Sequence, residues 1–349
     1  MNNQILHEPL VSVCIPTYNT EEVIIQTLNS AINQTYRNLE ILIVDNASTD
    51  STYELVKQVS DPRIVLHRNE SNLGGEQNWN RCIKMASGDY IIVFHNDDVY
   101  MPQMIEKQIK AFQTNPSIGA VFTQATIIND RDEKIGECNL LSRLSNKGIY
   151  QFPELFICVL EYGNFLLTPS CMVKGQLYKE LVPFDFDRFG ASSDLDMWFR
   201  ILERQPVAIL DEKLMCYRIS NKRGAHLDKR VGTEETQSFI VLDHYLSTIA
   251  NEFEVSPDTL GKYEFRRALD KIMRALKYTA KGDPIEGKKL LRGAISVAAF
   301  RGATRNILKP KLLSLWICGI LILISGPLMG HLAKILYRIL RIIWERRLA

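Results

Sequence analysis

Short apolar runs alternate with amphipathic stretches over the first hundred residues. LVSVCIP (10–16), LEILIVD (39–45), IVLH (64–67) and the strand within GDYIIVFHNDD (88–98) are compact and rich in β-branched residues. Between them, EEVIIQTLNSAINQ has apolar residues at 24, 25, 28, 31 and 32, the spacing of one helix face. NASTDSTYELVKQVS offers Ser and Asp as helix caps, and GEQNWNRCIKMAS reads as a third helix. Strand and helix in this rhythm predict an α/β fold: a Rossmann-like, mostly parallel sheet flanked by helices. Further on, the pattern predicts a helix over 102–114, a strand over 119–130, a loop over 131–150 and a strand over 169–173. SSDLDMWFRILER (192–204) has the period of a helix, and VAILDEKLMCYRIS (207–220) that of two strands or one bent strand.

From about residue 232 the strand signal ends. TQSFIVLDHYLSTIA, FRRALDKIMRALKYTAKGD and EGKKLLRGAISVAAF are helical, the last two forming a hairpin that turns at Gly282-Asp283-Pro284. We therefore expect a sheet domain over 1–230, a helical accessory region over 231–306 and a distinct segment over 307–349. That last segment holds LLSLWICGILILISGPLMGHLA (312–333), which has no charged residue. A run of ~20 residues is long enough to span a bilayer, but Gly326-Pro327 interrupts it. Beyond that break, apolar 328, 329, 332, 335, 336, 339, 342 and 343 form one stripe of a basic helix. Arg301, Arg305, Lys309 and Lys311 precede the run, and Lys334, Arg338, Arg341, Arg346 and Arg347 follow it. A single span is expected to carry its basic excess on one side. Both flanks basic favours a helix lying in an anionic membrane surface, with a single transmembrane span as the alternative.

Composition narrows the function classes. The chain has 349 residues, 46% hydrophobic and 23% charged, with net charge +2. There is no bulk electrostatic case for nucleic acid. Seven cysteines stand without a C-x-x-C pair, and MNNQILHE lacks the basic start of a secretory signal. Reduced thiols in a cytoplasmic setting are expected, without a cysteine zinc site.

Candidate chemistry gathers at the carboxyl ends of the expected strands, where open parallel sheets bind ligands. These ends carry Thr17-Tyr18-Asn19, then Asp45-Asn46-Ala47-Ser48, then Asn69 with Asn72-Leu73-Gly74-Gly75, then His95-Asn96-Asp97-Asp98. Adjacent carboxylates repel, more so when buried, and a divalent cation would relieve that repulsion.

VSVCIPTYN, LEILIVDNASTDST, NLGGEQNWNRCIKMASGDYIIVFHNDD and SSDLDMWFRI, in that order, resemble the family 2 glycosyltransferases, inverting enzymes of the GT-A (nucleotide-diphospho-sugar transferase) fold. The resemblance covers residues 10–220. It implies that Pro16, Thr17 and Tyr18 pack around the base and ribose, and that Asp45 pairs with a uracil ring, a helix cap being the plainer role for that carboxylate. Asn72, Gly74 and Gly75 match the turn where bare backbone approaches the nucleotide. His95-Asn96-Asp97-Asp98 matches the family's Asp-x-Asp metal motif. Asp97 is then the ligand and nucleotide-diphosphate contact for Mn²⁺ or Mg²⁺; His95, in place of the first Asp, contacts the donor sugar or fills space, Asn96 is the variable position, and Asp98 supports from behind or caps the next helix, so that His95, Asn96 and Asp98, like Trp198 and Arg218, are candidate donor or acceptor contacts. In the family the general base is the Asp of a Glu-Asp pair. Here Ser193-Asp194 stands there, which makes Asp194 the base and Asp196 the runner-up. Trp198 is a wall of the acceptor pocket or core. Arg218, with Lys222 and Arg223, makes a basic loop that could close on the diphosphate or simply be solvated, and His226 reads first as a solvated loop histidine, its alternative being to replace the family's histidine, whose position Ser220 occupies.

The implied reaction is metal-dependent transfer from a nucleotide-diphospho-sugar, UDP-linked by the Asp45 match, to a hydroxyl of a glycan or polyprenyl-linked acceptor. Cell-surface polysaccharide assembly at the cytoplasmic face of the plasma membrane is the expected setting, with peripheral or monotopic attachment. Two alternatives stay open. A degenerate transferase could bind nucleotide or lipid without turnover, given His95 and Ser193. A nucleotidyltransferase would need a Gly-rich loop with a basic residue after the first strand, where this chain has Pro16-Thr17-Tyr18-Asn19.

Overall fold

The computed structural model describes residues 8–145, 147–220, 234–248 and 253–292. Two compact units divide the chain: Met1–Phe152 with Leu166–Arg188 and Ser193–Ile219, and Pro153–Phe165 with Phe189–Ser192 and Ser220–Ala349.

The first unit is a ten-stranded sheet with helices on both faces. Its strands are β1 (Val11–Thr17), β2 (Leu39–Asp45), β3 (Ile64–Arg68), β4 (Tyr90–Val93), β5 (Val99–Tyr100), β6 (Ala120–Ile128), β7 (Lys134–Cys138), β8 (Ile149–Tyr150), β9 (Met172–Lys174) and β10 (Val207–Arg218). Its helices are α1 (Ile24–Ile32), α2 (Thr52–Lys57), α3 (Gly75–Met85) and α4 (Met104–Thr114). After α5 (Phe152–Tyr162), most of which belongs to the second unit, follow α6 (Gly175–Leu181), α7 (Phe186–Phe189) and α8 (Ser193–Arg204).

Strand order is β3-β2-β1-β4-β9-β6-β10-β5, with β7 on β6 and β8 on β10. The ladders β3-β2, β2-β1 and β1-β4 are parallel, as the apolar runs predicted. The sheet as a whole is mixed, its parallel majority interrupted by reversed strands. β9 runs antiparallel to both β4 and β6 and so lies reversed between them. β5, β7 and β8 are also reversed on their partners. Because β9 reverses the direction twice over, β6 and β10 point the same way as β1–β4. Six carboxyl ends therefore share one edge of the sheet.

Alternation along β1 shows why both faces are covered. Val11, Val13 and Ile15 join a core with Ile24 and Leu28 of α1 and with Met104, Ile105, Ile109 and Phe112 of α4. Cys14 faces the other way, its Sγ donating to Cys82 O of α3 at 3.6 Å. Val11, Val13, Cys14 and Ile15 are 0% exposed, and so is their polar neighbour Ser12. Ser12 is satisfied by Glu40, whose carboxylate it donates to and which also accepts from Ser87 N at 3.0 Å and Ser87 Oγ at 2.7 Å. Each fully buried Val, Ile or Leu contributes about 1.5–3 kcal/mol.

The region expected to be a loop, 131–150, instead holds β7 and β8. KIGEC is too polar, and IY too short, to show a strand period. The 207–220 stretch is one strand, irregular between Ile209 and Met215 where its register with β6 shifts.

The second unit is helical where described: most of α5, then α9 (Ser238–Thr248), α10 (Pro257–Ala280) and α11 (Pro284–Arg292). The hairpin between the last two turns through Gly282, at φ +96°. Glu161 of α5 accepts from Thr259 Oγ1 at 2.8 Å and Lys262 Nζ at 3.2 Å, and Arg266 Nη1 donates to Val159 O at 2.7 Å. No helix among the described residues is long and apolar enough to cross a membrane. The 307–349 segment, with its expected membrane surface, lies outside the described residues, as do Lys222, Arg223, His226 and the boundary expected at 230.

Candidate active site

The carboxyl edge of the sheet carries nearly every residue singled out above. At its first end, Thr17 Oγ1 and Thr20 Oγ1 share a hydrogen bond of 2.7 Å, while Tyr18 is 40% exposed and offers its ring to ligand or solvent. Asn19, at φ +49°, binds the next turn: its N–H donates to Ser48 Oγ at 3.1 Å, and its Oδ1 accepts from Thr49 N at 2.8 Å. Asn96 Nδ2 donates to Pro16 O at 3.1 Å, which ties the β1 end to the β4 end.

Asp45 is fully buried. Its Oδ2 accepts from Ser48 N at 3.0 Å, its Oδ1 accepts from Ser48 Oγ, and Arg68 Nε lies 3.4 Å from Oδ2. These contacts make it the cap of the 45–48 turn, where Ala47 takes φ +59°. Asn46, named above among the strand-end residues without a role of its own, is the hub of this end. Its Nδ2 donates to Asn72 Oδ1 at 2.8 Å and Gly74 O at 3.2 Å, and its Oδ1 accepts from Asn69 Nδ2 and Leu73 N. The Asn-rich composition of these ends was the available signal. Gly74 stands at φ +85°, which a side chain rarely adopts, and the space where a Cβ of Gly74 or Gly75 would point is open. Backbone there is accessible at the start of α3, a position that favours anions.

β4 leads into the polar tetrapeptide through Phe94, whose ring stacks on Tyr100 at 3.4 Å between centroids. His95 N donates to Tyr100 Oη at 2.7 Å, and the imidazole meets Trp79 edge-on at 5.0 Å. Ligand atoms of His95, Asp97 and Asp98 lie within 4.8 Å of one another. His95 and Asp97 are half-buried, whereas Asp98 is 1% exposed. Burial, and then the charge of Asp97, push the Asp98 carboxyl well above its ordinary value. Two carboxylates and an imidazole form a donor set that suits Mn²⁺ and accommodates Mg²⁺, so the residues present fit a divalent cation.

Asp194 reaches this edge by a route the sequence did not show. It lies in the first turn of α8, and Thr168 Oγ1 donates to its Oδ2 at 2.6 Å. Thr168 opens a 3₁₀ turn, Thr168–Ser170, that packs on β4 and β6 and leads into β9. β9 pairs antiparallel with β4 through Met172↔Ile92. Because β9 runs antiparallel to β4, the turn that precedes Met172 lies toward the carboxyl end of β4, and it binds the half-buried Asp194 on that side of the sheet. Asp196 is 5% exposed and its Oδ2 accepts from Arg200 Nε at 2.8 Å, an internal ion pair. Arg200 also donates to Leu181 O and Pro183 O. Trp198, 1% exposed, is packed against Phe122, Tyr178 and Phe184, which places it in the core. Arg218 is buried too, with its donors on acceptors of its own chain.

Comparison with known proteins bears on the family and the fold. Residues 12–163 match the model of glycosyl transferase family 2. An uncharacterized glycosyltransferase of Methanocaldococcus jannaschii is 31% identical over 222 residues, 62% of this chain and 73% of that protein. The UDP-Glc:alpha-D-GlcNAc-diphosphoundecaprenol beta-1,3-glucosyltransferase of Escherichia coli is 37% identical over 105 residues, 30% of this chain and 42% of that one. Among solved structures, S. aureus TarS 1-349 in complex with UDP superposes with a TM-score of 0.52 at 18% identity, covering 81% of this chain and 90% of its own. A mannosyltransferase of Pyrobaculum calidifontis in complex with GDP-Man and Mn²⁺ gives 0.50 at 17% identity, covering 97% and 88%. With a polar strand edge of this make and relatives of this kind, the chain belongs to the family 2 glycosyltransferases of GT-A fold and is a transferase enzyme.

Proposed function

We propose that the enzyme moves a sugar from a UDP-linked donor to a hydroxyl of a polyprenyl-linked glycan, with inversion and with a divalent cation. The observation that carries this reading is the His95, Asp97 and Asp98 cluster beyond the end of β4, with Asp194 held by Thr168 in the turn that leads into the neighbouring β9. The nucleotide would lie along the edge from Tyr18 to Gly74 and Gly75, its base over the Tyr18 ring. Asp45 would meet the uracil N–H by giving up the Arg68 contact, the loosest of its three at 3.4 Å. Asp97, with His95 beside it, would hold Mn²⁺ or Mg²⁺. When bound, the ion supplies positive charge for the leaving diphosphate.

Asp194 would take the proton of the acceptor hydroxyl as the new bond forms. Thr168 Oγ1 holds its Oδ2 and Leu195 N donates to its Oδ1 at 2.7 Å, so the carboxylate is aimed before the acceptor arrives. A fixed carboxylate loses little entropy on reaching the reactive geometry. The E. coli relative acts, by its name, on a diphosphoundecaprenol-linked sugar with a UDP-Glc donor, which supports a lipid-linked acceptor here. The uncharged run at 312–333 and its basic flanks favour attachment to an anionic membrane surface at the cytoplasmic face.

A nucleotide-release assay tests the reading. UDP-sugars should be turned over with Mn²⁺ or Mg²⁺ and not after chelation, on a polyprenyl-diphosphate glycan. Turnover of GDP-sugars in place of UDP-sugars would overturn the base assignment, and full turnover after chelation would overturn the cation.

A further inference from the structure

We propose that Arg218 is a positioning residue, which fixes the backbone of Asp97 and thereby aims the carboxylate that holds the cation. The proposal rests on the cation reading above. Arg218 is the last residue of β10, paired with Ile128 at the end of β6. Its side chain is 2% exposed. Nε donates to Asp97 O at 2.8 Å, Nη1 to Asn129 O at 2.9 Å and Nη2 to Gln26 Oε1 at 2.7 Å. Asp132 Oδ1 lies 2.6 Å from Nη1. The backbone N–H of the same residue donates to Asp98 Oδ1 at 2.8 Å. One residue thus binds both members of the Asp97-Asp98 pair, α1 and the β6–β7 turn.

A basic residue just past a strand end invites a simpler role, a charge for the diphosphate. The geometry argues against it. A diphosphate would have to displace backbone carbonyls that are themselves costly to leave unpaired. The partner turn is also built for the opposite purpose. Asp132 takes φ +62°, its N–H donating to Asn129 O at 3.1 Å, while Asn129 Oδ1 accepts from Arg131 N at 2.8 Å and Glu133 N at 3.1 Å. Gln26 Nε2 donates to Asp132 Oδ2 at 3.3 Å and closes the ring around the guanidinium. Asp132 is 56% exposed at the side chain, so its orientation toward Arg218 comes from this turn and not from burial.

The guanidinium's fork is what this arrangement uses. Lysine keeps the charge but is a point donor that cannot serve Asp97 O, Asn129 O and Gln26 Oε1 in their three directions. Arg218→Lys should therefore leave charge near the site and loosen the Asp97 backbone. Groups that orient a ligand of a metal typically change its affinity by about 10- to 100-fold.

The test is a titration of the full chain with Mn²⁺, read by the electron paramagnetic resonance of the free ion, with UDP or GDP as the nucleotide probe. Nucleotide affinity is measured separately in chelator. For Arg218→Lys we expect Mn²⁺ half-saturation to rise at least about 10-fold while nucleotide affinity in chelator stays at the wild-type value. Asp132→Asn, on an exposed turn, should shift Mn²⁺ half-saturation in the same direction by less, and it carries the test if Arg218→Lys fails to fold. Loss of nucleotide affinity in chelator would make Arg218 a diphosphate contact and overturn the proposal. A lowered Tm with unchanged Mn²⁺ half-saturation would make it merely structural and overturn it equally. Wild-type protein that binds no Mn²⁺ with either nucleotide would overturn the cation reading itself, and this proposal with it.

Discussion

The two halves of the sheet are built on different rules. From β3 to β4 the strands are parallel, and each ends in a polar turn close to its own strand in sequence. From β9 to β10 the directions are mixed, and the edge is assembled from distant parts of the chain. Thr168 meets Asp194 across 26 residues, and Arg218 meets Gln26 across 192. In the function proposed above, the first half, stitched by Asn19, Asn46 and Asn96, would cradle the nucleotide, and the second half would supply the single side chains Asp194 and Arg218. Binding and chemistry are thereby assigned to separate halves, and substitutions should separate them.

The largest separation is expected at Asp194. Asp194→Asn should lower turnover by about 10²–10⁴-fold, the range for a lost general base, as read by initial rates at saturating donor. Asp196→Asn should cost far less turnover, because that carboxylate is occupied by Arg200. Equal losses in the two variants would break the assignment. Next is Trp198→Ala, which removes a core side chain and should destabilise the protein by about 3–5 kcal/mol in chemical denaturation. If it instead lowered only acceptor affinity, Trp198 would be a pocket wall and the second half less rigid than described.

Asp45→Asn should weaken UDP binding by about 10-fold, the worth of a hydrogen bond to a charged group, with turnover largely recovered at high donor. Unchanged UDP affinity would leave Asp45 as the cap of its turn alone. The smallest effect belongs to Glu40, at the opposite edge of the sheet. Burial alone would raise its carboxyl, but hydrogen bonds from Ser12, Ser87 N and Ser87 Oγ outweigh that and hold it below the ordinary 4.5. A lowered folded value stabilises above the unfolded value and is lost as pH falls through the folded one. Glu40→Gln should therefore cost about 1 kcal/mol at neutral pH, less with acidification below pH 4.5, and nothing in UDP affinity.

The same contrast explains what could be read from the chain. Parallel strands covered on both faces are continuous apolar runs, so β1 to β4 and their polar ends were legible together. The helix hairpin at Gly282 was legible because glycine and proline mark its turn. FPELFICVLEY, which forms α5, is apolar nearly throughout and gives no helical period, and α6 is only seven residues long. β9 is three residues long, so its reversal leaves no trace in the pattern. At the site, residue types were legible but burial was not. Asp45 and Asp98 are both buried and Asp97 is not, though nothing in VDNAS or HNDDV distinguishes them. Arg218 looks like a loop cation beside Lys222 and Arg223 until its partners are known, and those lie on three other segments.

The central claim is that the first half holds the nucleotide and the second half supplies the base. It is tested most directly by the dissociation constant of UDP, in the presence of Mn²⁺, for Asp194→Asn measured by isothermal titration calorimetry. The wild-type value is expected in a variant that has lost turnover. A UDP affinity that falls together with turnover would place Asp194 in the donor-binding half and contradict the division.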